Sequence, residues 1–147
     1  MESKMTVFSP YIIAVIAGWI VAQGAKYLII AIKERRFDNL RQLYLSGNMP
    51  SAHSATVLAL STVIGLRDGV GSGLFGLALL FAAIVMYDAV MVRRSSGEQG
   101  AAIQQLIREQ KSKVPLPRAA KGHTPLEVIA GAAVGIVIGL VVFLATK

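Results

Sequence analysis

Four apolar runs dominate this chain: Tyr11 to Ile32, Ala52 to Leu66, Gly73 to Val92 and Leu126 to Thr146. Three of them approach or exceed the roughly 20 residues that carry an α-helix across ~30 Å of hydrocarbon. Of the 147 residues, 54% are hydrophobic and only 16% charged, and the mean hydropathy is +0.61. A soluble domain needs about a quarter of its residues charged, and a disordered chain needs far less apolar content. Both classes are therefore excluded. The expectation is an all-α integral membrane protein, a single transmembrane domain over residues 1–147 with helices at about 11–32, 52–66, 73–92 and 126–146. The first run exceeds the roughly 7–15-residue apolar core of a signal peptide, and it reads as a retained helix. The second is short and carries His53, Ser54, Thr56, Ser61 and Thr62, so it needs either protein neighbours or a thinned bilayer to cross. Cysteine is absent, which removes disulfides, thiolate zinc sites and thiol nucleophiles.

Charge is unevenly placed. Lys33, Arg35, Arg36 and Arg41 fall in residues 33–50, and Arg93, Arg94, Arg108, Lys111, Lys113, Arg118 and Lys121 fall in residues 93–125. Of the remaining cations, Lys4, Arg67 and Lys147 lie on the other side and Lys26 lies inside the first run. The positive-inside rule then puts both long loops in the cytoplasm and both termini outside, in the inner (cytoplasmic) membrane. The net charge of +7 is thus a topology signal, and no nucleic-acid partner is expected. Phe37, Leu40 and Leu43/Tyr44, and then Ile103, Leu106 and Ile107, recur at helical spacing. They predict short amphipathic helices on the inner interface, while Lys111 to Lys121, with Pro115 and Pro117, reads as a linker.

The two histidines, His53 and His123, each precede or open an apolar run on the predicted cytoplasmic side. A helix N-terminus there offers free N–H donors and a positive dipole. With Lys26, Lys33, Arg35, Arg36, Arg41, Arg93 and Arg94 available nearby, the pattern is suited to phosphoryl transfer without a metal, where catalysis is positioning plus charge stabilisation. Glu127 lies four residues after His123 and can hold one ring nitrogen as N–H, leaving the other as nucleophile. His53 has no carboxylate at that spacing and suits a general acid. Thr124-Pro125-Leu126-Glu127 also reads as a capping box with proline at the first helical position, which explains the glutamate without catalysis. Both readings of Glu127 stay open at this level.

Gly47-Asn48-Met49-Pro50-Ser51-Ala52-His53-Ser54 and Gly122-His123-Thr124-Pro125-Leu126-Glu127, with Met86-Tyr87-Asp88-Ala89 through Arg93-Arg94 between them, carry a resemblance. The chain resembles the divergent, small branch of the type-2 phosphatidic acid phosphatase and vanadium haloperoxidase superfamily, over residues 23–139. The resemblance implies phosphomonoester hydrolysis through a phosphohistidine at His123. His53 would serve as acid, Glu127 would orient His123, and Ser51 would bind phosphate with Arg93 or Arg94. No metal or other cofactor is implied. Ala52 stands where the main family has glycine, Glu127 where it has aspartate, and its first basic motif has no counterpart, since Lys33 and Arg41 have a different separation and no proline follows.

Several residues extend the expected site. Lys26 shares a helical face with Gln23 and is costly in a membrane unless it meets a polar cavity or snorkels. Asp88 can pair with Arg93, Arg94 or Lys26 in a supporting role, and Ser54 is a further candidate beside Ser51. Gly131, Gly135 and Gly139 make a close-packing face for intramolecular packing or for a homo-oligomer. The functional expectation is a lipid phosphate phosphatase acting at the cytoplasmic face on a phosphatidylglycerol phosphate or phosphatidic acid class of substrate. The alternative is a non-catalytic protein that binds or transports an anionic lipid or phosphate.

Overall fold

A computed structural model describes residues 9–35, 49–117, 119 and 122–147. Its helices are α1 (Pro10–Glu34), α2 (Ala52–Asp68), α3 (Gly73–Tyr87), α4 (Arg93–Glu109) and α5 (Pro125–Ala145), with a π turn at Asp88–Val92 joining α3 to α4. Local chemistry sets the ends. Pro10 opens α1, and Arg35, at φ 52°, closes it in the left-handed region. The Ser51 hydroxyl caps α2 and the Ser72 hydroxyl caps α3, accepting from the Phe75 N–H at 3.2 Å. Gly69 takes the positive φ of 88° that turns the chain between α2 and α3, a conformation that costs glycine least.

Of the four helices α1, α2, α3 and α5, the least apolar is the central one. α2 packs against α1, α3 and α5, with Ala55, Ala59, Val63 and Ile64 buried. Its hydroxyls are satisfied from within. Thr56 donates to the Ala52 carbonyl at 2.8 Å, Ser61 to that of Val57 at 2.8 Å, and Thr62 to that of Leu58 at 2.7 Å. Such back-bonding removes the penalty a buried hydroxyl carries in an apolar medium, and it is why a run with this many polar side chains sits inside the bundle.

Glycine lets the backbones touch. A Cβ on Gly131 would overlap the Ser51 carbonyl oxygen, one on Gly135 the Ala55 carbonyl, and one on Gly139 would lie 2.7 Å from the Ala59 carbonyl. On the other side of α2, Gly18 of α1 comes against Ala55 and Ala59. Of the two uses expected for Gly131, Gly135 and Gly139, intramolecular packing is the one seen within this chain, against α2.

Around this core, α1, α3 and α5 turn large apolar side chains outward, among them Ile16, Trp19, Leu80, Phe81, Ile136 and Leu144. Among the described residues, three helical stretches are long and apolar enough to cross a membrane: Pro10–Lys33, Gly73–Glu109 and Pro125–Ala145. α2, with 17 residues, is shorter than these. The connection at 93–125 differs from the expected short amphipathic helix in its continuity with α3. Its first part, Arg93–Glu109, is helix continuous with α3, and Ile103, Leu106 and Ile107 lie on it. The other predicted amphipathic segment, Phe37 to Tyr44, falls outside the described residues. At the end of the bundle away from the histidines, Tyr11 donates to Asp68 at 2.8 Å, and Arg67 bonds the Thr146 carbonyl and, at 3.0 Å, its hydroxyl. α1 and α3 thus run towards the histidines, α2 and α5 away from them.

Candidate active site

α5 begins with a capping box. The Thr124 hydroxyl accepts the Glu127 N–H at 3.3 Å, and Glu127 Oε2 accepts the Thr124 N–H at 2.9 Å. The same Oε2 lies 3.1 Å from His123 Nδ1. Glu127 thus makes both contacts, because a helix start that turns the carboxylate back over its first turn also lays it against the residue before the cap. An ionised carboxylate only accepts. With the carboxylate ionised and the imidazole neutral, this contact puts the ring proton on Nδ1 and leaves the lone pair on Nε2. His123 is 8% exposed, so this arrangement is largely shielded from water.

Backbone contacts fix where that histidine sits. In the π turn the Arg93 N–H bonds to the Asp88 carbonyl, five residues back, instead of to that of Ala89. The Ala89 carbonyl accepts the His123 N–H at 3.1 Å. The adjacent Gly122 lies directly on the Arg94 backbone, where a Cβ would overlap the Arg94 nitrogen. A π turn places such displaced carbonyls where an α-helix cannot, and these turns recur at functional sites. On the other side, the Ser51 N–H donates to the Glu127 carbonyl at 3.1 Å, so the starts of α2 and α5 are joined two residues before His53 and four after His123.

The candidate residues converge from four elements. His53, exposed on the first turn of α2, lies within electrostatic reach of Arg93, His123, Asp88 and Lys26. Lys26, buried on α1 at 6% exposure, also acts on Glu127. Asp88 pairs with Arg93 at 2.7 Å, which settles its partner among those the sequence offered. Arg94 instead pairs with Glu98 at 3.1 Å on the solvent side, and both line an open cleft of about 490 Å³ against His123, Gly122 and Thr124. Ser51 and Ser54 are fully buried, and the Ser54 hydroxyl donates to that of Ser51 at 3.0 Å. Arg36, Arg41, Arg118 and Lys121 lie outside the described residues. No group of three or more metal-ligating side chains occurs among the described residues. Sequence reasoning missed Gly122, the Ala89 carbonyl and Glu98; of these, only a glycine directly before a histidine carried a signal.

Gly122→Ala is expected to cut any activity of His123 by on the order of 10²-fold while leaving helix content unchanged, because the added methyl must push residues 122–123 off the Arg94 backbone and small misplacements at a reacting group are costly. Activity and circular dichroism on the purified variant check this.

The family model described as "Divergent PAP2 family" matches residues 8–138, a span that takes in both histidine segments. The chain is also 38% identical over 141 residues to "Uncharacterized membrane protein YuiD" of Bacillus subtilis (strain 168), covering 86% of this chain and 89% of that protein. No solved structure matches. The three apolar helical stretches and the membrane-protein relative agree on a multi-pass membrane protein. With a family match across most of its length, the chain belongs to the divergent PAP2 family.

Proposed function

We propose that this protein is a lipid phosphate phosphatase that works through a phosphohistidine. The observation that carries the reading is His123 Nδ1 at 3.1 Å from Glu127 Oε2, with His53 in electrostatic reach of the same ring. His123 Nε2 attacks phosphorus, the ester P–O bond breaks, and its electron pair stays on the leaving oxygen. Protonated His53 gives that oxygen its proton, releasing an alcohol. Water then attacks the phosphohistidine, His53 takes one of its protons, and the P–N bond breaks to free phosphate and restore Nε2. The helix starts at Ser51 and Thr124, with Lys26 and Arg93, supply positive potential for the phosphoryl oxygens.

The remaining elements of the reading rest on charge and hydropathy. α2 completes a fourth crossing, both termini lie outside, and the histidine end faces the cytoplasm of the inner membrane. That side meets lipid phosphates made on the inner leaflet, of the phosphatidylglycerol phosphate or phosphatidic acid class. Reporter fusions that placed the histidine end outside would redirect the substrate to polyprenyl phosphates.

Phosphate release by the purified protein from a panel of lipid phosphates tests the reaction. His53→Ala is expected to slow release from an alkyl phosphate by on the order of 10²–10⁴-fold. It should slow p-nitrophenyl phosphate far less, since nitrophenolate leaves without needing a proton. Equal losses on both substrates would remove His53 as the acid. Wild-type protein that binds lipid phosphates but releases none would favour binding or transport of an anionic lipid instead.

A further inference from the structure

A second feature lies between α1 and α2, below the histidines. Val15, Ile16, Trp19 and Ile20 of α1 and Thr56 of α2 enclose a groove of about 370 Å³. The Thr56 hydroxyl in its wall already donates to the Ala52 carbonyl at 2.8 Å, and the other lining side chains are aliphatic or, at Trp19, an indole. Ile16, Trp19 and Ile20 are each about half exposed, and they belong to a stretch apolar enough to cross a membrane. The groove therefore opens where the surrounding medium is hydrocarbon, and it presents hydrocarbon.

Both walls lead to the same end of the bundle. On α2, Thr56 follows His53 by three residues, about 4.5 Å along the axis and on the same face. On α1, Val15, Trp19 and Lys26 stand at i, i+4 and i+11, one stripe of the helix, with Lys26 about 10 Å beyond Trp19. Lys26 in turn acts on His53 and Glu127. Because α1 runs towards the histidines and α2 away from them, following either wall in that direction reaches the same cluster of charge. An anionic headgroup held there would have its hydrocarbon tail leave along this groove.

We infer that the α1–α2 groove binds an acyl chain of the lipid phosphate whose headgroup sits at His53 and His123. The inference rests on the phosphatase reading for the identity of that headgroup, and it assigns Trp19, Ile16 and Thr56 as the residues that select a lipid over a water-soluble phosphomonoester.

Two arms test it, and only the second needs catalysis. In the first, full-length protein in phosphatidylcholine nanodiscs is irradiated with a phosphatidate bearing a diazirine in its acyl chain, and the labelled peptides are mapped. Label at residues 15–20 and 56, displaced by unlabelled phosphatidate and not by added phosphatidylcholine, is the expected result. Equal displacement by both lipids, or label elsewhere only, overturns the inference by showing that the groove takes bulk lipid or none.

In the second arm, Ile16→Trp fills the groove from an exposed position, and Trp19→Ala enlarges it. Ile16→Trp should raise KM for long-chain phosphatidate about tenfold with kcat held, and should leave hydrolysis of glycerol phosphate unchanged. Trp19→Ala should raise the same KM in the same substrate-dependent way. Variants that slow both substrates alike, or neither, overturn the assignment. Wild-type protein that hydrolyses neither substrate while the labelling pattern holds would sink the phosphatase reading and leave a lipid phosphate site without bond cleavage.

Discussion

Glu127→Gln is expected to lower phosphate release by about 10²–10⁴-fold while leaving the melting temperature nearly where it was, and His123→Ala to abolish release, by on the order of 10⁴-fold or more. The contrast comes from one oxygen with two jobs. Glu127 Oε2 accepts the Thr124 N–H that closes the helix cap and also faces His123 Nδ1. Glutamine is itself a capping-box residue and keeps an acceptor for Thr124. It lacks the charge that holds Nδ1 as N–H and stabilises the imidazole as it becomes cationic, and its amide can turn a donor towards the ring and favour the wrong tautomer. Thr124→Ala makes the opposite change. It removes the hydroxyl that accepts the Glu127 N–H, at a cost of about 1 kcal/mol of stability, and leaves the carboxylate beside His123. Release assays and thermal unfolding of the three variants separate the roles. If Glu127→Gln costs as much stability as Thr124→Ala and leaves the rate alone, the carboxylate is a cap and nothing more.

Gly135→Ala should destabilise the bundle by about 1–3 kcal/mol and lower activity as well, though the site is more than two turns away along α5. A methyl there meets the Ala55 carbonyl and comes within 2.9 Å of the Ala55 Cα, which is backbone and cannot swing aside. α2 must move off α5. The start of α2 carries His53 and the start of α5 follows His123, and the Ser51–Glu127 backbone bond between them transmits the separation. Gly76→Ala is the control. Nothing lies within 4 Å of the Cβ it would add, so it should be neutral or stabilise by up to about 1 kcal/mol through helix propensity. Thermal unfolding in one detergent compares them, and equal midpoints for the two variants would mean that α2 and α5 are less tightly seated than their glycines indicate.

How much of this was legible beforehand depends on the kind of signal. The apolar runs located the three long apolar helical stretches found among the described residues, because burial in lipid demands a long apolar stretch. The hydroxyl-rich run at Ala52 pointed to a helix needing protein neighbours or a thinned bilayer, and α2 has three helices against it. Spacing brought Glu127 to His123. Continuity of α3 into α4 was not legible, because Arg93 and Arg94 mark where hydropathy falls and not where hydrogen bonding stops. The π turn has no side-chain signature at all, being a shift of backbone register at Asp88 and Ala89. The glycine face of α5 was legible as a face, and its partner was not, since small residues at four-residue spacing look the same whether a neighbouring helix belongs to the same chain or another.

The unbroken helix from Gly73 to Glu109, 37 residues, is about 55 Å long at 1.5 Å per residue, well beyond the ~30 Å of hydrocarbon it has to cross. His123 hangs from its middle through the Ala89 carbonyl, and Gly122 rests on its next turn. The far half of this rod is accordingly a lever arm. A substitution that bends the rod near Ala89 is therefore expected to carry the His123 backbone with it relative to His53, which stands on a different helix.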